Sequence, residues 1–195
     1  SITDYLIRIC DQELTESESH AVSELLKFVG EYERIGDYTV NLMDCARQLS
    51  EQEWSFSPSA RKQAALLFEA VGEVQRVAGE AFTQADAALA AQVEPLEEVI
   101  DILVEKLRDG HIKRLKDGIC SIDTGVVFLD VLNNVERISD HCSNIAARLI
   151  GTNQGEDYDS HTLKSLMHHN PTKEYSLHYE QCCKDYLVPL EAMEA

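Results

Sequence analysis

A five-residue motif that occurs twice, 103 residues apart, constrains the fold of this chain more than any other feature. Residues 33–37 read Glu-Arg-Ile-Gly-Asp, and residues 136–140 read Glu-Arg-Ile-Ser-Asp. When residues 25–42 are aligned with residues 128–145, six of the 18 positions are identical. A repeat of this length predicts two copies of one structural unit rather than a solenoid of short repeats.

Both copies lie late in long segments of strong helix formers. The chain has only four prolines and nine glycines, and no segment alternates with a period of two, so we predict an all-α fold. The predicted helices are a short one at about 4–12, then 15–49 with a Thr15–Glu18 capping box, 57–82 with Ser57 and Pro58 at its start, 84–115 with a kink at Pro95, and 121–150 with Ser121 as its cap. A loop at 151–159 and one amphipathic tail helix around Tyr175, Tyr179, Tyr186 and Leu187 should follow.

Each copy of the motif places two carboxylates on one helix face. Glu33 and Asp37 are four residues apart, as are Glu136 and Asp140, and like charges at this spacing destabilise an isolated helix. The compensating charge is either the neighbouring arginine or a bound cation, since hard cations prefer carboxylate oxygens. The first pair also borders an apolar stripe that we expect to pack against a neighbouring helix: Val22, Leu25, Val29, Tyr32, Gly36, Val40 and Met43.

A third pair with the same spacing, Glu97 and Asp101, lies one helix before the second motif. If these two helices pack antiparallel, Glu97, Asp101, Glu136 and Asp140 converge and form a candidate metal site. The alternative is a solvated acidic face, because this spacing is common in acidic helices.

Charge and composition exclude several other classes. Acidic residues outnumber basic ones 35 to 17, a net charge of −18, which disfavours nucleic acid and anionic membrane surfaces as partners. No stretch approaches the length of a membrane span, and the first residues lack the pattern of a signal peptide. None of the six cysteines forms a CxxC pair, so we expect reduced thiols, including the vicinal pair Cys182 and Cys183.

The repeated motif, with Leu-Glu-Glu-Val-Ile-Asp at 96–101 one helix earlier, resembles the PhoU family. Position 99 is a valine where that family is often acidic. The resemblance implies two tandem three-helix bundles whose carboxylate motifs bind multinuclear iron or zinc, and a regulatory role in phosphate uptake. It also implies metal ligands at Glu33, Asp37, Glu97, Asp101, Glu136 and Asp140, although either cluster can be empty in this chain.

Three further segments resemble the cytoplasmic C-terminal region of bacterial Na⁺/phosphate cotransporters. They are Asp-Tyr-Leu-Ile-Arg at 4–8, Gly-His-Ile-Lys-Arg-Leu at 110–115 and the Tyr-rich tail. This resemblance implies a domain on the cytoplasmic side of the cell membrane, whose partner is the membrane transporter portion of the same full-length protein.

The repeat offset places the counterpart of Asp101 before Ser1, so we expect the first bundle to lack its first helix and most of its second. The expected units are a partial bundle at 1–55, a complete three-helix bundle at 56–151, and a loop with a helical tail at 152–195. Self-association as a homo-oligomer is one way to cover the apolar surface left open in the partial bundle.

The expected function is therefore regulatory and not enzymatic. A free-standing PhoU regulator of phosphate uptake is the nearest alternative, and a helical scaffold without metal is another. A ferritin-like di-iron enzyme needs Glu-x-x-His on two helices, whereas Gly36 and Ser139 stand at the positions of the histidines. The sequence also has no phosphate-binding Gly-rich loop and no nucleophile elbow.

Overall fold

The computed structural model describes residues 1–154, 160–169 and 171–194, and within these ranges the chain consists of helices joined by short turns and loops and contains no strand. The predicted all-α fold is confirmed. The helices are α1 (Ile2–Cys10), α2 (Glu16–Glu51), α3 (Pro58–Gln84), α4 (Ala87–Ala90), α5 (Val93–Lys116), α6 (Ile122–Gln154), α7 (Ser160–His169), α8 (Lys173–Cys182) and α9 (Val188–Glu194), with a π-helical turn at Cys183–Leu187 between the last two.

Local capping fixes where the long helices begin, as the sequence predicts. At α2 the Thr15 hydroxyl accepts from the Glu18 N–H, and the Glu18 carboxylate accepts from the Thr15 N–H at 2.9 Å. These hydrogen bonds lower the pKa of Glu18. Ser57 caps α3, with Pro58 in its first turn, and the Ser121 hydroxyl accepts from the Thr124 N–H at the start of α6.

The predicted single helix at 84–115 is wrong, because the chain breaks between α3 and α5. Ala85 has a φ of 51°, a left-handed conformation that ends α3, and the Asp86 side chain then caps the short α4. Helix α5 begins at Val93, so Pro95 lies in its first turn, where a proline removes no helical hydrogen bond. The predicted kink at Pro95 is therefore absent.

The C-terminal boundaries also differ from the prediction. Helix α6 continues through Gly151 to Gln154, so the first four residues of the predicted loop are helical, and its remaining residues, 155–159, lie outside the described residues. The tail contains α7, α8, the π-helical turn and α9 instead of one helix. The side chain of Leu190 in α9 is fully buried in the same core as α3, α5 and α6, which fixes the tail on the bundle.

Helices α3, α5 and α6 form the centre of the molecule around one apolar core. Its largest fully buried members are Leu67, Leu96, Ile100, Leu103, Leu107, Phe128, Leu132 and Ile145. These residues recur at helical spacing on three helices, and their burial removes the apolar faces of all three from water. No helix among the described residues has the length and hydropathy that a membrane crossing requires.

Helix α2 packs antiparallel along α6, and the contacts follow the internal repeat. Tyr38 stacks on His141 with ring centroids 5.6 Å apart, and these two residues are equivalent in the repeat. The Asn41 amide donates to Asn134 at 3.0 Å. The repeat counterpart of that contact joins Asn144 to Glu31 at 3.1 Å, so the two helices are related by an approximate two-fold axis.

The face of α2 that packs on α6 is not the stripe expected from the sequence. Its inward residues are Phe28, Ile35, Tyr38, Leu42 and Cys45, which lie against the core. Most of the predicted stripe is exposed, including Leu25, Tyr32, Gly36, Val40 and Met43. Helix α2 has two apolar faces, and periodicity alone does not distinguish the packed face from the exposed one.

Candidate metal site

Helix α5 presents a line of carboxylates toward α6. Glu94, Glu97 and Asp101 are spaced at i, i+3 and i+7, which places them on one side of the helix. Glu94 and Glu97 are buried, at 1% and 0% exposure, which is unusual for carboxylate side chains. Burying a carboxylate is unfavourable unless hydrogen bonds or a cation compensate its charge. The row of carboxylates on α5 is therefore a candidate for cation binding.

Three of the predicted ligands come together between α5 and α6. One carboxylate oxygen from each of Glu97, Asp101 and Asp140 lies within 4.8 Å of the other two. Glu97 is buried, and the two aspartates are half-buried. Three carboxylates at this separation repel one another when ionised, and a cation or a shared proton relieves the repulsion.

The fourth predicted residue of this group, Glu136, points to a different partner. Its carboxylate accepts from Nη2 of Arg108 at 3.1 Å, and the same nitrogen donates to Asn133 at 3.0 Å. The arginine of the motif behaves as the sequence suggested, because Nη1 of Arg137 lies 3.3 Å from Asp140. Arg137 is largely exposed and offsets part of the negative charge of Asp140, whereas Arg108 is paired with Glu136.

The first copy of the motif does not form such a group among the described residues. Glu33 is exposed and accepts a hydrogen bond from the Thr3 hydroxyl at 3.3 Å. Asp37 is exposed, and it belongs to no group of three possible metal ligands among the described residues. The motif is therefore present twice in the sequence, but the structure assembles one candidate site.

Several polar residues next to the site were not predicted. The Ser143 hydroxyl donates to Glu94 at 2.6 Å, and both side chains are buried. Ser139 is fully buried one turn earlier on α6, and its hydroxyl has no hydrogen-bond partner among the described residues. The signal that could have identified Glu94 is its i, i+3, i+7 spacing with Glu97 and Asp101, because this pattern turns all three toward α6.

Cys142 shows how strongly α6 is enclosed at this point. It is 1% exposed. Burial, assisted by the nearby Glu97 carboxylate, raises the pKa of the Cys142 thiol to about 12. The thiol is therefore protonated at neutral pH, and it does not belong to the group of ligand atoms around Asp140.

The donor set limits which metal would suit this site. All three ligand atoms are carboxylate oxygens, which hard cations prefer, whereas zinc sites usually contain imidazole or thiolate ligands. Three oxygens satisfy only part of the coordination of a hard cation, so water would have to supply the rest. The oxygen donors of Glu97, Asp101 and Asp140 therefore suit a hard cation better than zinc.

Comparison with known proteins assigns this part of the chain to a family. Residues 65–149 match the PhoU domain, a range that includes Glu97, Asp101, Glu136 and Asp140. The phosphate-specific transport system accessory protein PhoU homolog 1 of Thermotoga maritima is 29% identical over 133 residues, which cover 68% of this chain and 56% of the relative. A PhoU homolog of the same system from a Burkholderia species is 30% identical over 134 residues, covering 67% and 56%.

The chain thus spans a little over half the length of these curated relatives. No solved structure matches it. The helical architecture, the repeated carboxylate motif and the two relatives agree with the family match. The chain therefore contains a PhoU domain at residues 65–149, and it is similar to PhoU homologues over about two thirds of its length.

Proposed function

We propose that this chain is a regulatory accessory component of phosphate transport and acts without catalysing a reaction. The observation that carries the proposal is the PhoU domain match over residues 65–149, together with two relatives that are named as accessory proteins of a phosphate-specific transport system. Because the chain spans little more than half of each relative, their role is extended to it here as a proposal.

Of the two arrangements considered from the sequence, the relatives favour a free-standing PhoU regulator. Both are named as accessory proteins rather than as parts of a transporter chain. The cotransporter context stays a prediction that rests on sequence resemblance. It comprises sodium coupling, a transporter portion in the same full-length protein as partner, and a position on the cytoplasmic side of the membrane.

We further propose that Glu97, Asp101 and Asp140 bind one hard cation as part of this regulatory role. Their oxygens already lie within 4.8 Å of one another, and Glu97 is fully buried, so a cation would relieve the repulsion in the place where water screens it least. A multinuclear iron cluster, as the family resemblance implies, would need more ligands. Glu136, one turn before Asp140 on α6, is the fourth ligand that the sequence predicts for this site, and it would have to exchange Arg108 for a metal.

The regulatory role is tested by phosphate uptake in a bacterium whose own PhoU gene is deleted. Expression of this chain should restore regulated uptake of radiolabelled phosphate, and a chain with both Glu97→Gln and Asp140→Asn should restore it less well. Asp37→Asn is the matched control, because it changes the same motif where no site is assembled. Uptake that does not respond to the wild-type chain, at equal expression, would contradict the proposed function.

The cation site is tested separately on purified, chelator-treated protein. Fe³⁺, Mg²⁺ and Zn²⁺ should each be added in turn while thermal unfolding is followed, because a ligand that binds the folded state raises the melting temperature. We expect a hard cation to raise it in the wild type and in Asp37→Asn but not in Glu97→Gln. Equal shifts in all three proteins would place the metal elsewhere, and no shift in the wild type would favour the metal-free scaffold.

A further inference from the structure

One side of α2 carries a row of apolar and small residues that stays largely exposed. Its members recur every three or four residues, so they lie along one line of the helix. This α2 ridge consists of Leu25, Val29, Tyr32, Gly36, Val40 and Met43. The side chains of Leu25, Tyr32, Val40 and Met43 are between 39% and 66% exposed. The ridge is about 27 Å long, which matches a partner helix of about 18 residues.

The N-terminal part of the α2 ridge borders an apolar cavity of about 480 Å³. Most of its wall is apolar and comes from α1, α2 and the end of α3: Ile2, Leu6, Leu25, Phe28, Tyr32 and Phe82. Glu33 is the charged residue among those that line it. A cavity of this kind accepts a large apolar side chain, the type of anchor that dominates the binding energy of protein interfaces.

Two carboxylates line one flank of the α2 ridge. Glu33 directly follows Tyr32 and Asp37 directly follows Gly36, so both lie on the same side of the row. Both are exposed, and neither forms an ion pair among the described residues, whereas their counterparts on α6 are each paired with an arginine. In α2 as a whole, eight acidic residues outnumber three basic ones. The flank therefore attracts a cationic partner and repels an anionic one.

This charge separates the occupants that an apolar helix face could have. Two copies of the α2 ridge packed together would bring four carboxylates into one interface between chains that each carry a net charge of −18. An acidic helix like α5 would repeat the arrangement on α6, where carboxylates meet and repel one another unless a cation or a proton intervenes. A helix with lysine or arginine beside its apolar face avoids both costs.

We propose that the α2 ridge docks a basic amphipathic helix of another protein. The helix spans about five turns, its apolar side chains pack along the ridge with one anchor in the cavity, and its basic side chains pair with Glu33 and Asp37. The surface is separate from the Glu97 site. The proposal does not depend on the proposed role in phosphate transport, because docking is measured on the purified chain.

The test is the binding of labelled synthetic peptides to the full, chelator-treated chain, followed by fluorescence anisotropy. The probe is a peptide of about 18 residues with leucines at helical spacing and lysines on both flanks. One control peptide has the same composition in scrambled order, and the other has glutamate in place of lysine. We expect the patterned lysine peptide to bind about tenfold more tightly than the scrambled one and the glutamate peptide not to bind.

Two valines in matched settings locate the docking surface. Val40 on the α2 ridge is 56% exposed and Val126 on α6 is 55% exposed, so an aspartate substitution makes the same change at both. Val40→Asp should weaken binding about tenfold, because it places a charge in an apolar contact, and Val126→Asp should leave the affinity unchanged. Glu33→Gln should weaken binding about threefold and reduce its salt dependence, because it removes one exposed charge pair. Circular dichroism checks that each variant folds.

Four outcomes would overturn the proposal. Equal binding of the patterned and scrambled peptides would reduce the attraction to net charge, and equal binding by folded Val40→Asp and Val126→Asp would place the peptide elsewhere. A peptide-free dimer in analytical ultracentrifugation that Val40→Asp dissociates would identify a second copy as the occupant. Binding of the glutamate peptide only after addition of Mg²⁺ would identify an acidic helix like α5. None of these results depends on the phosphate-uptake experiment.

Discussion

Helices α2 and α6 carry the same motif, yet they lie in different environments. In α6, Phe128 is 1% exposed and Ser143 is 0% exposed, because α3 and α5 cover that face. Their repeat counterparts in α2 are Leu25 at 43% and Val40 at 56%. The two helices contact each other through a third set of residues around Tyr38 and His141, about an approximate two-fold axis.

This difference shows that the motif is only half of a site. Asp140 joins a carboxylate group because α5 brings Glu97 and Asp101 opposite it. Asp37 occupies the same place in its copy of the motif, but its side chain is exposed and belongs to no such group among the described residues. The chemistry of the repeat therefore depends on the packing of a second helix, and equivalent substitutions in α2 and α6 should have very different effects.

The largest expected difference is between Phe128→Ala and Leu25→Ala, at equivalent positions. Phe128 contacts Phe56 and His111 in the core, so its truncation should lower the free energy of unfolding by about 3–5 kcal/mol. Leu25→Ala should lower it by less than about 1 kcal/mol, because much of Leu25 is already in water. Urea unfolding measures both. Equal losses would show that another surface covers the α2 face in solution.

The contact between α2 and α6 provides the next comparison. Glu31 accepts from His141 at 2.7 Å and from Asn144 at 3.1 Å, and it is 12% exposed, whereas its counterpart Asn134 accepts from the exposed Asn41. Glu31→Ala leaves the buried His141 and the half-buried Asn144 without this acceptor and should cost about 2–3 kcal/mol, against about 0.5–1 kcal/mol for Asn134→Ala. Thermal unfolding of both variants, with Asn41→Ala as a further control, checks the asymmetry. A smaller loss for Glu31→Ala would mean that α2 is held by apolar contacts alone.

The parts of the fold that sequence could predict are those that depend on neighbouring residues. The Thr15–Glu18 capping box and the Ser57 and Ser121 caps involve groups three residues apart, so their pattern identifies them. The break at Ala85 has no such signal, because alanine favours helices and its left-handed conformation depends on how α3 and α5 are joined.

The candidate site was predictable only in part for the same reason. Helical spacing together with antiparallel packing of α5 and α6 predicts that Glu97 and Asp101 lie close to Asp140, as the structure shows. The ion pair of Glu136 with Arg108 depends on a long side chain that reaches across from α5, and helical spacing does not encode its direction. The hydrogen bond of Tyr175 to Glu98, at 2.6 Å, likewise joins residues far apart in sequence and follows from the docking of α8.

A smaller effect is expected from neutralising the aspartate of each motif copy in chelator-treated protein. Asp140→Asn removes one of the three converging carboxylates and so relieves their repulsion. Because the ion pair with Arg137 that it also removes is largely exposed, the free energy of unfolding should rise by about 1 kcal/mol. That gain corresponds to about 2–4 °C in the melting temperature. Asp37→Asn should change the free energy by no more than about 0.5 kcal/mol. A loss of stability in Asp140→Asn would contradict repulsion within the carboxylate group.

The last comparison needs no substitution. Chemical labelling of one thiol in α2 and one thiol in α6 compares how well each helix shields its thiol from solvent. At pH 8 only about one Cys142 thiol in ten thousand is ionised, given its pKa of about 12, and the side chain is 1% exposed. Burial, and then the carboxylates of Asp130 and Asp44, also raise the pKa of Cys45, but that side chain is half-buried on α2. Iodoacetamide should therefore modify Cys45 well before Cys142, with the exposed Cys10 as a reference for reagent activity.

Peptide mass spectrometry over time measures all three rates, and strong denaturant should make them similar. If Cys142 reacted as fast as Cys45 in the folded protein, α6 would be opening on the labelling timescale, and the contrast in enclosure between the two copies of the motif would not hold in solution.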